Sequence, residues 1–208
     1  MTFFEHREDA ARQLAERLAY LKAERPLVLA IPRGAVPMGR VIADRLGGDL
    51  DVVLVRKLRS PFNPEFAIGA IDESGSFELS ADAAYAGGGR EFLGREKAAQ
   101  LARIRECRAA WNQLRQPANP EGRACVVVDD GLATGATMVA ALRSVRERKP
   151  RLLVCAVPVA SETGIHNVKD IADEVVVVHI PDFFGAVSQF YRNFSQVEDA
   201  EVAQLLAA

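Results

Sequence analysis

The sequence predicts an α/β fold: a doubly wound, mainly parallel sheet flanked by helices, with an inserted flap and a small C-terminal hood. Three observations predict it. Short, largely apolar runs recur at 27–31, 51–55, 123–129, 151–157 and 174–180, and strands of this kind suit a parallel sheet covered on both faces. Segments with apolar residues at three- and four-residue steps separate several of them, as βαβ units require. Between the second and third runs lies a Gly/Pro-rich stretch too long for a plain connection.

The elements follow in order. Phe4, Ala11, Leu14, Leu18 and Leu21 define one amphipathic helix over about residues 5–23, with Pro26 closing it. Leu27–Ile31 is the first buried strand, and a turn on Pro32-Arg33-Gly34 leads into a helix over 37–46. Asp51–Val55 reads as a second buried strand that ends at Arg56-Lys57. Residues 58–94 hold Pro61, Pro64, Gly69, Gly75 and Gly87-Gly88-Gly89, with short strand-like pieces only at 67–71 and 77–79. This is the flap, and a charged helix over 91–114 leads out of it. Strand 123–129, helix 136–148, strand 151–157 and strand 174–180 follow, and residues 180–208 form the hood of a single 208-residue domain.

Composition narrows the function. Twenty-six Lys and Arg against 28 Asp and Glu leave a net charge of -2, without the cationic excess that nucleic acid or an anionic membrane calls for. A chain of 208 residues buries roughly 70% of its unfolded surface, so folding needs no disulfide or structural metal. Cys107, Cys125 and Cys155 show no CxxC spacing, and the last two sit in apolar runs as small hydrophobes. The histidines His6, His166 and His179 share no metal-ligand spacing. The charged N-terminus is no signal peptide and no apolar run approaches ~20 residues, which predicts a soluble cytoplasmic protein.

One segment carries chemistry. The strand ending at Val128 delivers two adjacent carboxylates, Asp129 and Asp130, to a loop of Gly131, Leu132, Ala133, Thr134 and Gly135, and Ala136 and Thr137 then open an apolar helix. Ligands of open α/β sheets bind beyond the carboxyl ends of the strands. Backbone N–H groups of 131–137 and the helix dipole favour a phosphate there, with Thr134 and Thr137 adding hydroxyl donors. Two acids beside an anion site make sense if the ligand also brings hydroxyls or a divalent cation. A sugar phosphate with Mg²⁺ satisfies both halves. Gly135 is followed by Ala136 rather than Lys, which excludes a Walker A loop, and the acid pair comes too late in the chain for a receiver domain.

Four apolar residues, two acids, three variable positions and Thr-Gly-x-Thr make this segment similar to the phosphoribosyl pyrophosphate (PRPP) motif of the type I phosphoribosyltransferases. Pro32-Arg33-Gly34-Ala35 resembles that family's pyrophosphate loop, and Arg56-Lys57 resembles the basic end of its second strand. The resemblance implies Mg²⁺-dependent transfer of the 5-phosphoribosyl group from PRPP to a nitrogenous base, with release of pyrophosphate. It implies that Asp129 and Asp130 hold the ribose hydroxyls or the metal's water shell, and that residues 133–137 hold the 5-phosphate, with Gly131 and Leu132 also in the PRPP site. Arg33 and Lys57 neutralise the leaving group, with Arg56 as the alternative if strand register turns it inward, and Arg33, Lys57 and Asp130 are the catalytic candidates. Family members acting on 6-oxopurines carry a carboxylate just before the Thr-Gly. Here that position is Ala133, which disfavours such bases and leaves adenine-like, orotate-like or unrelated acceptors open.

A proton acceptor then comes from the flap or the C-terminal region, or the base arrives already deprotonated; the flap's polar candidates for assisting the reaction are Arg59, Asn63, Glu65, Asp72 and Glu73. A closing flap would keep water from the oxocarbenium-like sugar. Phe183 and Phe184 in the hood are candidates to stack on the base. The partners implied are PRPP and a small acceptor, without nucleic acid or membrane, and a homodimer is compatible with this reading. A PRPP-binding regulator without transferase activity is the alternative.

Overall fold

The computed structural model describes residues 3–63, 66–80, 83–86, 89–112 and 116–207. His6 opens helix α1 (Arg7–Arg17) by accepting the Asp9 N–H at Nδ1, 3.2 Å away. The helix expected over 5–23 stops at Leu18, and residues 19–24 continue as a 3₁₀ turn. Strand β1 (Leu27–Ala30) leads through residues 31–35 to α2 (Val36–Leu46), and β2 (Asp49–Val52) returns beside β1. Later come β6 (Ala124–Val128), α5 (Ala136–Glu147), β7 (Leu152–Val159), α6 (Glu162–Val168), β8 (Glu174–His179) and α7 (Asp199–Ala207). Helix α6 had no counterpart in the sequence reading.

Five parallel strands run in the order β2-β1-β6-β7-β8. The chain winds from β1 outward to β2, then crosses to β6 on the other side of β1, so the switch point lies between β1 and β6. This is the doubly wound sheet that the apolar runs predict. Alternating side chains feed two cores. Val28, Ala30, Val126 and Val128 pack with α1 and α2, while Leu27, Leu29, Cys125 and Val127 pack with α5.

The second strand requires correction. Asp51–Val55 is not one strand ending in Arg56-Lys57. The Val53 N–H still donates to the Ala30 carbonyl at 3.1 Å, and the chain then leaves the main sheet. Strand β3 (Val55–Arg59) begins a separate antiparallel sheet with β4 (Ala67–Asp72) and β5 (Phe77–Leu79), in the order β3-β4-β5. Val52, Val53, Leu54 and Val55 are all buried across this junction, so apolarity alone carried no sign of the break. The flap is accordingly built structure. After the short α3 (Ala83–Ala86), helix α4 (Gly89–Asn112) packs back on β3 and β4, and the 58–94 boundaries cut through β3 and α4.

The hood is likewise tied down. Phe190, Tyr191, Val197, Val202 and Leu206 are buried in the core shared with α1 and α2. Among the described residues, no helix is long and apolar enough to cross a membrane.

Candidate active site

Two loops meet at the switch point: residues 32–35 after β1 and 129–135 after β6. The Pro32–Arg33 peptide is cis. A cavity of about 550 Å³ opens there, lined by Arg33, Gly34, Arg56, Lys57, Asp129, Asp130 and Thr137 among others. A smaller cavity of about 190 Å³ adjoins it, lined by Lys57, Asp129 to Met138, and Val187. Every residue that the sequence assigned to PRPP therefore faces one of two neighbouring cavities, with Lys57, Asp129, Asp130 and Thr137 facing both.

The smaller cavity is a backbone cradle. Among the described residues, the N–H groups of Ala133, Thr134, Gly135, Ala136 and Thr137 find no acceptor, whereas Leu132 N–H donates to the Val159 carbonyl at 2.8 Å and is not free. Gly135, the residue before α5, lies at φ +82°, a conformation that glycine adopts without steric cost. No side chain caps α5, so its first turn and dipole are open to an anion. Helix α6 holds the loop from behind. Ser161 Oγ donates to the Ala133 carbonyl at 2.6 Å, and Asn167 Nδ2 to the Thr134 carbonyl at 3.0 Å.

The two carboxylates differ. Asp130 Oδ2 accepts from Arg7 Nε at 3.2 Å and Nη2 at 3.0 Å, and Arg7 Nη1 donates to the Ser195 carbonyl at 2.6 Å. The guanidinium also lies 3.8 Å from the centre of the Phe194 ring, and Tyr191 donates its hydroxyl to the Asp130 carbonyl at 2.6 Å. Among the described residues Asp129 has no such cation in contact; its Oδ1 accepts the Asp130 N–H at 2.9 Å. Burial first, and then the adjacent Asp130 charge, push Asp129 well above the usual carboxylate range, against the opposing pull of Lys57 and Arg7. Burial also raises Asp130, with Arg7 holding it back.

A Cβ on Gly34 would overlap Asp130 Oδ2, so glycine at this point lets the two loops close on each other. Arg33 lies 3.6 Å from Asp199 at the start of α7, a pair of exposed side chains that a ligand anion can outcompete.

The remaining candidates separate. Arg59 lines the larger cavity. Asp72 accepts from Ser74 and Ser76 within the β4–β5 turn, and Glu73 pairs with Arg108 at 2.8 Å, so both have structural work. Asn63 lies in the turn after β3, where its carbonyl accepts the Phe66 N–H, and Glu65 falls outside the described residues. Phe183 and Phe184 line neither cavity: Phe183 is 81% exposed, and Phe184 packs on Phe190 with ring centres 5.2 Å apart. Aromatic identity did not reveal which rings the C-terminal core would take. Arg7, Asp199 and the α4 residues in the cavity wall went unrecognised, because each reaches the site only through tertiary packing. Among the described residues, no group of three His, Cys, Asp or Glu side chains is arranged to hold a metal.

Comparison with known proteins places the chain. Residues 3–195 match the model of the phosphoribosyl transferase domain, and the chain belongs to that family. Two Mycobacterium tuberculosis proteins, from strains CDC 1551 and H37Rv, both named "Putative phosphoribosyl transferase", are 41% identical over 210 residues, covering 99% of this chain and 47% of theirs. The chain thus spans about half the length of the curated relatives it matches. The crystal structure of TT1426 from Thermus thermophilus is 44% identical with a TM-score of 0.83, over 99% of this chain and 98% of that one.

Proposed function

We propose that the protein transfers the 5-phosphoribosyl group from PRPP to a nitrogenous acceptor and releases pyrophosphate. The observation that carries this reading is the juxtaposition of a carboxylate pair, a backbone anion cradle and the cations Arg33 and Lys57 around adjoining cavities. The cradle of 133–137 holds the 5-phosphate. Asp129 and Asp130 accept from the ribose hydroxyls. Arg33 and Lys57, with Arg56 beside them, face the pyrophosphate and offset the charge that grows as the C1–O bond breaks.

Mg²⁺ fits this donor set. Two hard carboxylates, without a third protein ligand among the described residues, suit an ion that keeps waters and takes its remaining oxygens from substrate phosphates. Bound there, the ion would neutralise pyrophosphate charge. The protein's own contribution is positioning and exclusion of water. Ala133 lines the cradle with a methyl group where a carboxylate would be needed to assist a 6-oxopurine, which supports an acceptor of another kind.

The test is pyrophosphate release from Mg-PRPP across a panel of purine and pyrimidine bases, with nucleotide product measured in parallel. Base-dependent release with matching nucleotide is the expected result. PRPP binding without turnover for any base would refute transferase activity and favour a PRPP-binding regulator.

A further inference from the structure

Beside Arg33, Arg56 and Lys57, the larger cavity has a compartment walled by residues to which the transfer reading assigns no role. Its far wall is one face of α4, where Gln100, Ile104, Cys107 and Trp111 recur at three- and four-residue steps and Arg103 lies beside them, three residues after Gln100 and four before Cys107. Arg56 of β3 faces them, with Nη2 3.9 Å from Cys107 Sγ.

This wall has two chemistries. Arg56 is half-buried and Arg103 is exposed, and neither has a carboxylate partner among the described residues; the cost that follows falls on Arg56. A cation held partly out of water without a counter-charge is costly, and a ligand anion removes that cost. Gln100 is only 6% exposed and donates to Glu96 Oε1 at 3.0 Å, while no described residue donates to its carbonyl. Ile104 and the indole of Trp111 are the apolar part. The compartment therefore suits a molecule with an anionic end and a partly apolar body that can donate a hydrogen bond.

Position decides which molecule. None of these α4 residues lines the phosphate cradle, and they share the larger cavity with the cations assigned to pyrophosphate, which on that assignment puts them on the leaving-group side. A nucleophile enters C1 opposite the departing oxygen, so an acceptor does not attack from here. We infer that the β3–α4 compartment takes the body of an organic diphosphate, such as a nucleoside diphosphate, whose phosphates sit on Arg33, Arg56 and Lys57. Such a compound competes with PRPP and restrains the enzyme. The inference rests on the reading that Arg33 and Lys57 hold pyrophosphate.

Trp111 is the single tryptophan of the chain, so its emission reports on this compartment. The full chain is titrated in Mg²⁺ with pyrophosphate and with ADP, GDP, CDP and UDP, following Trp111 fluorescence and binding heat. At least one nucleoside diphosphate should bind about ten-fold more tightly than pyrophosphate, shift Trp111 emission and be displaced by PRPP. Arg103→Ala should erase that advantage while leaving pyrophosphate affinity unchanged. Nucleoside diphosphates that bind no better than pyrophosphate, or without a Trp111 response, overturn the inference alone. So does consumption of the compound with PRPP, which would make it an acceptor. Failure of pyrophosphate itself to bind overturns the leaving-group reading and the inference with it.

Discussion

Arg7 is the residue whose removal tests the site's construction most directly. Its side chain and that of Asp130 are 10% and 18% exposed, so the pair lies largely out of water. Arg7→Met keeps most of the stem and removes the charge. Asp130 then remains buried without its cation, and the Ser195 carbonyl loses its donor. Breaking one side of a buried pair costs about 3–5 kcal/mol. For a chain of this size each kcal/mol lowers Tm by roughly 2–4 °C, which gives a fall of about 6–20 °C. Thermal melts at neutral pH measure it. Because the cost arises from the stranded carboxylate, Arg7→Met made in an Asp130→Asn background should cost far less than in the wild type. A Tm drop below about 3 °C, or an equal cost in both backgrounds, would refute the argument that Arg7 acts through Asp130.

Two further outcomes follow from packing and burial. A Cβ on Gly164 would lie 2.6 Å from the Ala133 carbonyl and 2.8 Å from that of Leu132, so Gly164→Ala should cost about 1–3 kcal/mol and weaken PRPP binding by displacing the cradle; unchanged melts and PRPP titrations would contradict this. Burial pushes the Cys125 thiol up to about 11 and Cys155 up to about 12. Unfolded thiols ionise near ~8.5, so the stability these two groups contribute is complete below that pH and is lost as pH rises toward their folded values, by about 1.4 kcal/mol per thiol per pH unit. Urea midpoints should fall between pH 8.5 and 10 in the wild type and fall less in Cys125→Ala/Cys155→Ala; equal slopes would count against it.

What the sequence disclosed was local. The strand, acid pair, Gly/Thr loop and helix of 124–142 are contiguous, and each residue type has its reason in place, so the cradle could be read before any packing was known. Arg7 stands 123 positions from Asp130, and nothing in the N-terminal helix marks it apart from the other arginines of that helix. Strand β3 was misplaced because the buried run 52–55 is equally apolar on both sides of the junction between sheets. The spacing of Gln100, Ile104, Cys107 and Trp111 was a usable signal on α4. It was masked because the charged residues around it dilute the apolar stripe. The hood failed for a different reason: Phe183 and Phe184 are alike in sequence, and only the fold sends one ring to solvent and the other to Phe190.

The acid pair, both members of which the sequence assigns to the ribose hydroxyls or the metal's water shell, is divided by the structure. Asp130 has one oxygen fixed by Arg7, its carbonyl fixed by Tyr191, and Gly34 closed against it, so it joins both chain ends to the two loops. Asp129 has none of these ties, and its charge is disfavoured by burial and by its neighbour. Removing that charge should leave stability unchanged or improve it, because an amide oxygen can still accept the Asp130 N–H. Asp129→Asn should therefore weaken PRPP binding by about ten- to hundred-fold, the worth of a charged hydrogen bond, with no loss in Tm. Asp130→Asn should lower both, since Arg7 is then the buried charge without a partner. Paired melts and PRPP titrations of the two variants decide it. If Asp129→Asn destabilises the fold as much as Asp130→Asn does, the carboxylates share one structural role, and the argument for separate duties fails.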